Sequence, residues 1–261
     1  MIDNLKKEFS RAISWRLLVI LIIPICMPMD TIVDWQWLFK SDRLSVFYFY
    51  YHAVQFGGLF GRHFVSIFCS IPFCISFIDE YKSGMSCYIY QKSANHKEYL
   101  WSKYIVSIIT GGIVLSLGTA IFLWVLARFL PLVHENDLME SLAYYKLLVI
   151  GNGELYFVCA VYFSFLSGCL YAGVASLVSS ILPNKYITAA SPLVFSFFLS
   201  QCGISEKSML FFYLSRLLSM RIRIETVPMT IFYVTIIVIA IIIGFGNIFV
   251  KKTRERIVYD I

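Results

Sequence analysis

Apolar residues in this chain run in long blocks, not in the short alternations of a soluble fold. Crossing a bilayer as a helix takes about 20 mostly apolar residues, because backbone polar groups cannot be left unpaired in hydrocarbon. Six stretches reach or approach that length, at 15–32, 60–78, 104–126, 155–181, 186–204 and 229–250. The first is interrupted by Pro24 and Pro28, the second carries Arg62 and His63 near one end, and the last is an isoleucine-rich run suited to lipid contact. The pattern predicts an all-α membrane protein of six transmembrane helices, formed as one domain with no linker or repeat dividing it.

Ahead of the first block, Ile2, Leu5, Phe9 and Ile13 recur every three or four residues, while Lys6, Lys7 and Arg11 fall elsewhere on the helical wheel. This spacing predicts a helix over 1–14 lying along the inner membrane surface, although ordinary basic flanking sequence would show the same residues. A basic start followed by "LLVILIIPICM" resembles a secretory signal, but no small-residue cleavage site follows, so the segment reads as a retained anchor. With the N-terminus in the cytoplasm and six spans, thirteen of the 22 lysines and arginines fall on the inner side, among them the tail "KKTRER" directly after the last span. The positive-inside rule therefore places both termini in the cytoplasm.

Composition agrees with the block pattern. Of 261 residues 59% are hydrophobic and 15% charged, against about a quarter charged in soluble domains, and the mean hydropathy is +0.75. The net charge of +6 suits an anionic leaflet and implies no nucleic acid, since no compact basic domain is present to hold one. Seven cysteines are scattered, mostly within the spans, with no Cys-x-x-Cys pair, which reads as apolar packing and not as a zinc site or disulfide framework. His134-Glu135 is not continued as His-Glu-x-x-His, and neither Gly-x-Ser-x-Gly nor a phosphate-binding Gly-x-x-x-x-Gly-Lys-Ser/Thr loop occurs. The chain is expected to be no enzyme, to hold no cofactor or metal, and to bind no ATP in the P-loop manner.

The loop at 79–103, "DEYKSGMSCYIYQKSANHKEYLWSK", stands apart from this plain picture. Asp79 and Glu80 fall where a span leaves the inner face, a place where basic residues ordinarily predominate, so the acids need partners. Gly84 permits a sharp turn, and the next ten residues can form a short helix parallel to the membrane with Met85, Tyr88 and Ile89 on one side. Such a helix, joined rigidly to two spans, is a handle on which a soluble protein can pull. A span ending in Asp-Glu-Tyr-x-Ser-Gly, then a short aromatic helix, then Lys-Glu-Tyr-x-x-x-Lys resembles the ABC type-2 exporter permeases. The order of elements over nearly the whole chain resembles, more narrowly, the six-span permeases of bacterial multidrug and bacteriocin (lantibiotic) immunity exporters.

That resemblance implies an ABC type-2 transmembrane domain with an N-terminal interfacial helix and a cytoplasmic coupling helix, located in a bacterial cell membrane. It implies that Glu80, Tyr81, Gly84, Met85, Tyr88, Ile89, Lys97 and Lys103 form the coupling element, with Glu80 and Gly84 flanking the helix and Lys103 beginning the third span. Many relatives carry an arginine where this chain reads "SANHK", and Lys97 replaces its charge without its forked hydrogen bonding. ATP and Mg would then reside on a separate ABC ATPase subunit, expected in two copies, beside a second permease, identical or homologous. The expected cargo is hydrophobic or peptidic, such as a drug or bacteriocin. A membrane receptor or scaffold that uses the 79–103 loop without transport is the competing reading.

Three further features accompany this. Ser164, Gly168, Ala172 and Ser176 repeat every four residues, a stripe that lets helices approach closely either within one subunit or at a dimer seam. Arg62 and Glu154 are candidates for an outer gate, with snorkelling into headgroups the plainer alternative. Residues 205–228 are too apolar for a free loop and too short for two spans, which suggests re-entrant or surface helices on the outer side.

Overall fold

The computed structural model describes residues 2–13, 15–29, 44–55, 59–72, 74–92, 95–134, 144–149, 153–202, 214, 216–222 and 226–259. Every regular element among them is helical. Helix α1 (Ile2–Ala12) is followed by a tight 3-10 segment, Trp15–Leu21, and the short α2 (Ile23–Cys26). Pro24 sits in the first turn of α2, where its missing N–H has no partner to lose. Then come α3 (Val46–Tyr50), α4 (Cys74–Lys82), α5 (Met85–Lys92), α6 (His96–Leu126), α7 (Tyr145–Val149), α8 (Glu154–Ile181), α9 (Lys185–Cys202) and α10 (Val227–Tyr259).

Three of these are long and apolar enough to cross a membrane: His96–Leu126, Glu154–Ile181 and Val227–Ile257. A fourth is added if Leu5–Ala12 and Arg16–Cys26, which meet at a 58° bend, count as one broken span. The stretch at 60–78 is not one continuous α-helix. It consists of a wide turn at Leu59–His63, a 3-10 segment at Phe64–Cys69, a break beside Pro72, and then α4. Pro72 falls at the break, where its missing N–H and its ring disfavour a continued α-ladder. The Ser66 hydroxyl donates to the His63 carbonyl at 2.6 Å and the Ser70 hydroxyl to that of Ile67 at 2.8 Å, as serines do in the unbroken helices too.

Helix α9 spans the expected fifth stretch but starts at Lys185, is only 18 residues long and contains Pro192. Its serines at 191, 196 and 200 donate their hydroxyls to carbonyls three residues earlier, which satisfies them within the helix. Helix α6 begins at His96, eight residues before the apolar block suggested, because Asn95 caps it there. Residues 30–43, 203–213, 215 and 223–225 lie outside the described residues; of the surface helices expected at 205–228 the described part shows helical residues at 214 and 216–218, and 227–228 already belong to α10.

The centre of the molecule is the pair α6 and α8. A Cβ placed on Gly111 would come within 2.4 Å of the Ala172 Cβ, and one on Gly168 within 2.5 Å of the Gly111 carbonyl oxygen. Glycine at both positions lets the two backbones touch. Helix α10 lies against this pair through Gly246, which faces Trp101 and Tyr104, and through the Tyr104 hydroxyl, which donates to the Ile242 carbonyl at 2.8 Å. Its other face, with Phe232, Ile236, Ile239 and Ile243, is exposed.

Both ends of the described chain share one end of the bundle. Arg256, near the close of α10, donates to the carbonyl of Ser180 at the close of α8 at 3.2 Å, and Lys185 at the start of α9 pairs with Asp79 at the close of α4. At the opposite end, the backbone N–H groups of Val46 and Phe47 bond the carbonyls of Pro131 and Leu132.

Candidate functional site: the charged end of the bundle

Three consecutive residues at the close of α4 organise this end. Asp79 pairs with Lys185 of α9 and, at 3.3 Å, with Arg16 of the 3-10 segment. Glu80 pairs with Lys103 of α6 and lies 3.9 Å from Arg11 of α1. The Tyr81 ring lies under the Arg256 guanidinium of α10, 5.2 Å from its centre. One short tripeptide thus reaches α1, the 3-10 segment, α6, α9 and α10, and through Arg256 the last turn of α8.

Lys103 is the most enclosed member of the set, with its side chain 1% exposed. Its ammonium group pairs with Glu80 and with Glu8, the latter at 3.6 Å, and sits over the rings of Phe77 and Tyr99. Arg11 in turn holds Glu8 at 3.2 Å. Two cations and two carboxylates therefore balance inside the end of the bundle. An ion buried this way is tolerated only while it is paired, and removal of one partner from a buried pair typically costs ~3–5 kcal/mol. Burial raises the Glu8 carboxyl above its ordinary range despite Lys103 and Arg11, and the nearby Glu80 charge adds to the rise. Asp79 moves the other way, held low first by its hydrogen bond with Lys185, which burial opposes, and then by the charge of Lys185 and the hydrogen bond and charge of Arg16.

From this hub α5 projects. The end of α4 is closed by Ser83, whose N–H bonds the Asp79 carbonyl and whose hydroxyl bonds that of Glu80. Gly84 follows with φ +73°, the left-handed conformation that stops a helix and that glycine adopts without strain. Helix α5 then runs from Met85 to Lys92 with Ser86 and Tyr90 buried and Met85 and Tyr88 exposed, at 47% and 63%. Tyr90 stacks on His96 with ring centres 4.3 Å apart. The Asn95 side chain accepts from the Glu98 N–H at 3.4 Å and donates to the Glu98 carboxylate at 2.9 Å, a reciprocal cap that fixes where α6 starts.

Of the residues expected to form the coupling element, Glu80, Tyr81 and Lys103 point into the hub, and Gly84 forms the hinge. Met85, Tyr88 and Lys97 face outward, and Ile89 lines a groove between α1 and α5. Glu8, Arg11, Arg16, Asp79, Lys185 and Arg256 complete the hub. The sequence pointed to the acids as needing partners without supplying them.

The stripe on α8 is divided between two environments. Gly168 and Ala172 meet Gly111, while the Ser176 hydroxyl lies 2.7 Å from that of Ser107 and 3.5 Å from the Cys74 sulfur, which is itself 3.1 Å from Ser107. Ser164 lines a cavity of about 50 Å³ with Tyr50, Ser167, Tyr171, Ser196 and Met27. That volume holds one or two waters at ~30 Å³ each. The imidazole of His63 reaches Ser196 at 3.0 Å beside it. Glu154 is exposed at the first position of α8, preceded by Gly153 at φ +85°, whereas the Arg62 side chain with which it was expected to form a gate lies outside the described residues.

No protein-family model, no curated protein and no solved structure matches this chain.

Proposed function

We propose that the chain is the membrane permease subunit of an ATP-driven exporter of the ABC type-2 kind, with six spans, both termini in the cytoplasm and α5 as the helix gripped by a separate ATPase. The observation that carries this reading is the linkage of α5 to the rest of the molecule. Asp79, Glu80 and Tyr81, just before the Gly84 hinge, connect to every long helix that ends on the same side. A force applied to the exposed Met85 and Tyr88 is therefore delivered to several helices together, as a two-state rearrangement of packed elements requires. The fragmented 60–78 stretch and the segment from Trp15 through α2 supply the first two spans in this reading, with α1 on the membrane surface before them, and α9 supplies the fifth.

One chain provides half of the pathway, and a second copy or a homologue completes it. The exposed apolar face of α10 is available to lipid or to that second subunit. ATP and Mg belong to the two ATPase subunits, and the cargo is hydrophobic or peptidic.

The reading is tested by reconstituting the chain in vesicles with a soluble P-loop ATPase that co-purifies with it. ATP hydrolysis should rise on assembly, and Tyr88→Ala with Met85→Ala should abolish the rise while the chain still inserts. Stable association without any ATP-dependent movement of cargo would instead assign the chain as a receptor or scaffold.

A further inference from the structure

A groove of about 330 Å³ runs between α1 and α5, lined by Lys7 and Arg11 on one wall, Tyr88 and Lys92 on the other, and Glu8 and Tyr99 at its base. A space of that size admits several waters, and so a small polar headgroup. We infer that this groove binds an anionic phospholipid of the leaflet that α1 lies on, with the phosphodiester between Lys7 and Lys92 and a headgroup hydroxyl directed at Glu8. Phosphatidylglycerol has this chemistry. Tyr88 belongs both to this groove and to the exposed face of α5, whereas Lys7 and Lys92 belong to the groove alone in this reading.

The charges decide the sign of the ligand. Arg11 and Lys103 are already matched by Glu8 and Glu80. Lys7 and Lys92 are exposed, and no ion pair holds either among the described residues. Lys92 lies 5.9 Å from the centre of the Tyr88 ring. The groove therefore has an uncompensated positive pair on opposite walls. At its base, Glu8 Oε2 is buried and its contact with the Lys103 ammonium, at 3.6 Å, is longer than a hydrogen bond. A hydroxyl donor in the groove would satisfy it.

The position of the groove selects a lipid as the source of the phosphate. Helix α1 packs its apolar face, Leu5, Phe9 and Ala12, against Val106 of the long apolar α6, and turns 58° from the segment that follows it. Ile13, Leu18, Leu21 and Ile25 are exposed directly beyond the bend. Acyl chains attached to a headgroup in the groove have an apolar surface to follow, and basic residues at this level attract anionic lipid by about 1 kcal/mol each.

The test uses the purified full chain, delipidated in neutral detergent, and titrates short-chain phosphatidylglycerol, short-chain phosphatidylcholine and inorganic phosphate, read by native mass spectrometry and thermal shift. Phosphatidylglycerol should bind in preference to the other two, and Lys7→Gln and Lys92→Gln should each weaken it roughly fivefold. Lys251→Gln, at the same end of the bundle but outside the groove, should leave it unchanged. Equal binding of the two lipids, or an equal loss in Lys251→Gln, would overturn the site. So would inorganic phosphate binding as tightly as the lipid, or lipid binding unchanged in Lys7→Gln and Lys92→Gln while those variants lose a soluble partner. That last result would assign the groove to an acidic protein segment.

Discussion

Lys103 shows how far one position depends on distant ones. It lies two turns into α6, buried, and is kept there by Glu8 from α1 and Glu80 from α4. Lys103→Met should lower stability by ~3–5 kcal/mol because Glu8 and Glu80 are then left to share the partly exposed Arg11 alone. Neutralising all three in Lys103→Met/Glu8→Gln/Glu80→Gln should recover most of that loss, measured by thermal unfolding in detergent. Glu8 and Asp79 give the stability curve two limbs. Glu8 has a raised folded value, so its contribution is fully present below its unfolded value near 4.5 and is lost as pH climbs through the folded value. Asp79 has a lowered one, so its contribution is present above its ordinary value near 3.8 and is lost as pH falls through the folded value. Thermal melts across pH should therefore show a decline above about pH 4.5 that Glu8→Gln removes, and a separate decline below about pH 4 that Asp79→Asn removes. The sequence marked Glu80 and Lys103 as functional, and Asp79 as an acid out of place. It could not reveal Glu8 or Lys185 as partners, because contacts across so many residues leave no periodic trace.

At the scale of elements, glycine acts in two distinct ways. A Cβ on Gly84 meets nothing within 4 Å, so its role is the positive φ alone. Gly84→Val should destabilise the turn by ~1–2 kcal/mol, while Gly84→Asn, which visits that conformation more readily, should be milder. The separation between labelled cysteines on α5 and α10, measured by electron paramagnetic resonance, should broaden in the first variant and stay narrow in the second. Gly168 is the contrasting case, since a Cβ there would press on the Gly111 carbonyl. Gly168→Val should part α6 and α8 and lower thermal stability by ~1–3 kcal/mol. The apolar blocks made α6, α8 and α10 legible, because each is one long run. The 60–78 stretch read equally well as one span, yet hydropathy does not register where Pro72 redirects the backbone. The short helix after Gly84 was legible from a turn residue followed by an aromatic run, whereas the start of α6 at the Asn95 cap, eight residues ahead of the apolar block, was not.

For the whole molecule, the governing fact is that α1, the α4–α5 turn, the close of α8, the start of α9 and the close of α10 gather at one end and are cross-linked there by charge. The orientation expected from lysine and arginine counts would put that end in the cytoplasm, where a soluble motor can reach it. Whether such a motor grips α5 is read by photo-crosslinking in living cells from an unnatural amino acid at position 88. A crosslink to a soluble protein that carries a nucleotide-binding P-loop is expected there, with none from position 243 on the exposed face of α10. Labelling of position 88 by a membrane-impermeant reagent from outside the cell, or its crosslinking to no ATP-binding protein, would contradict that reading.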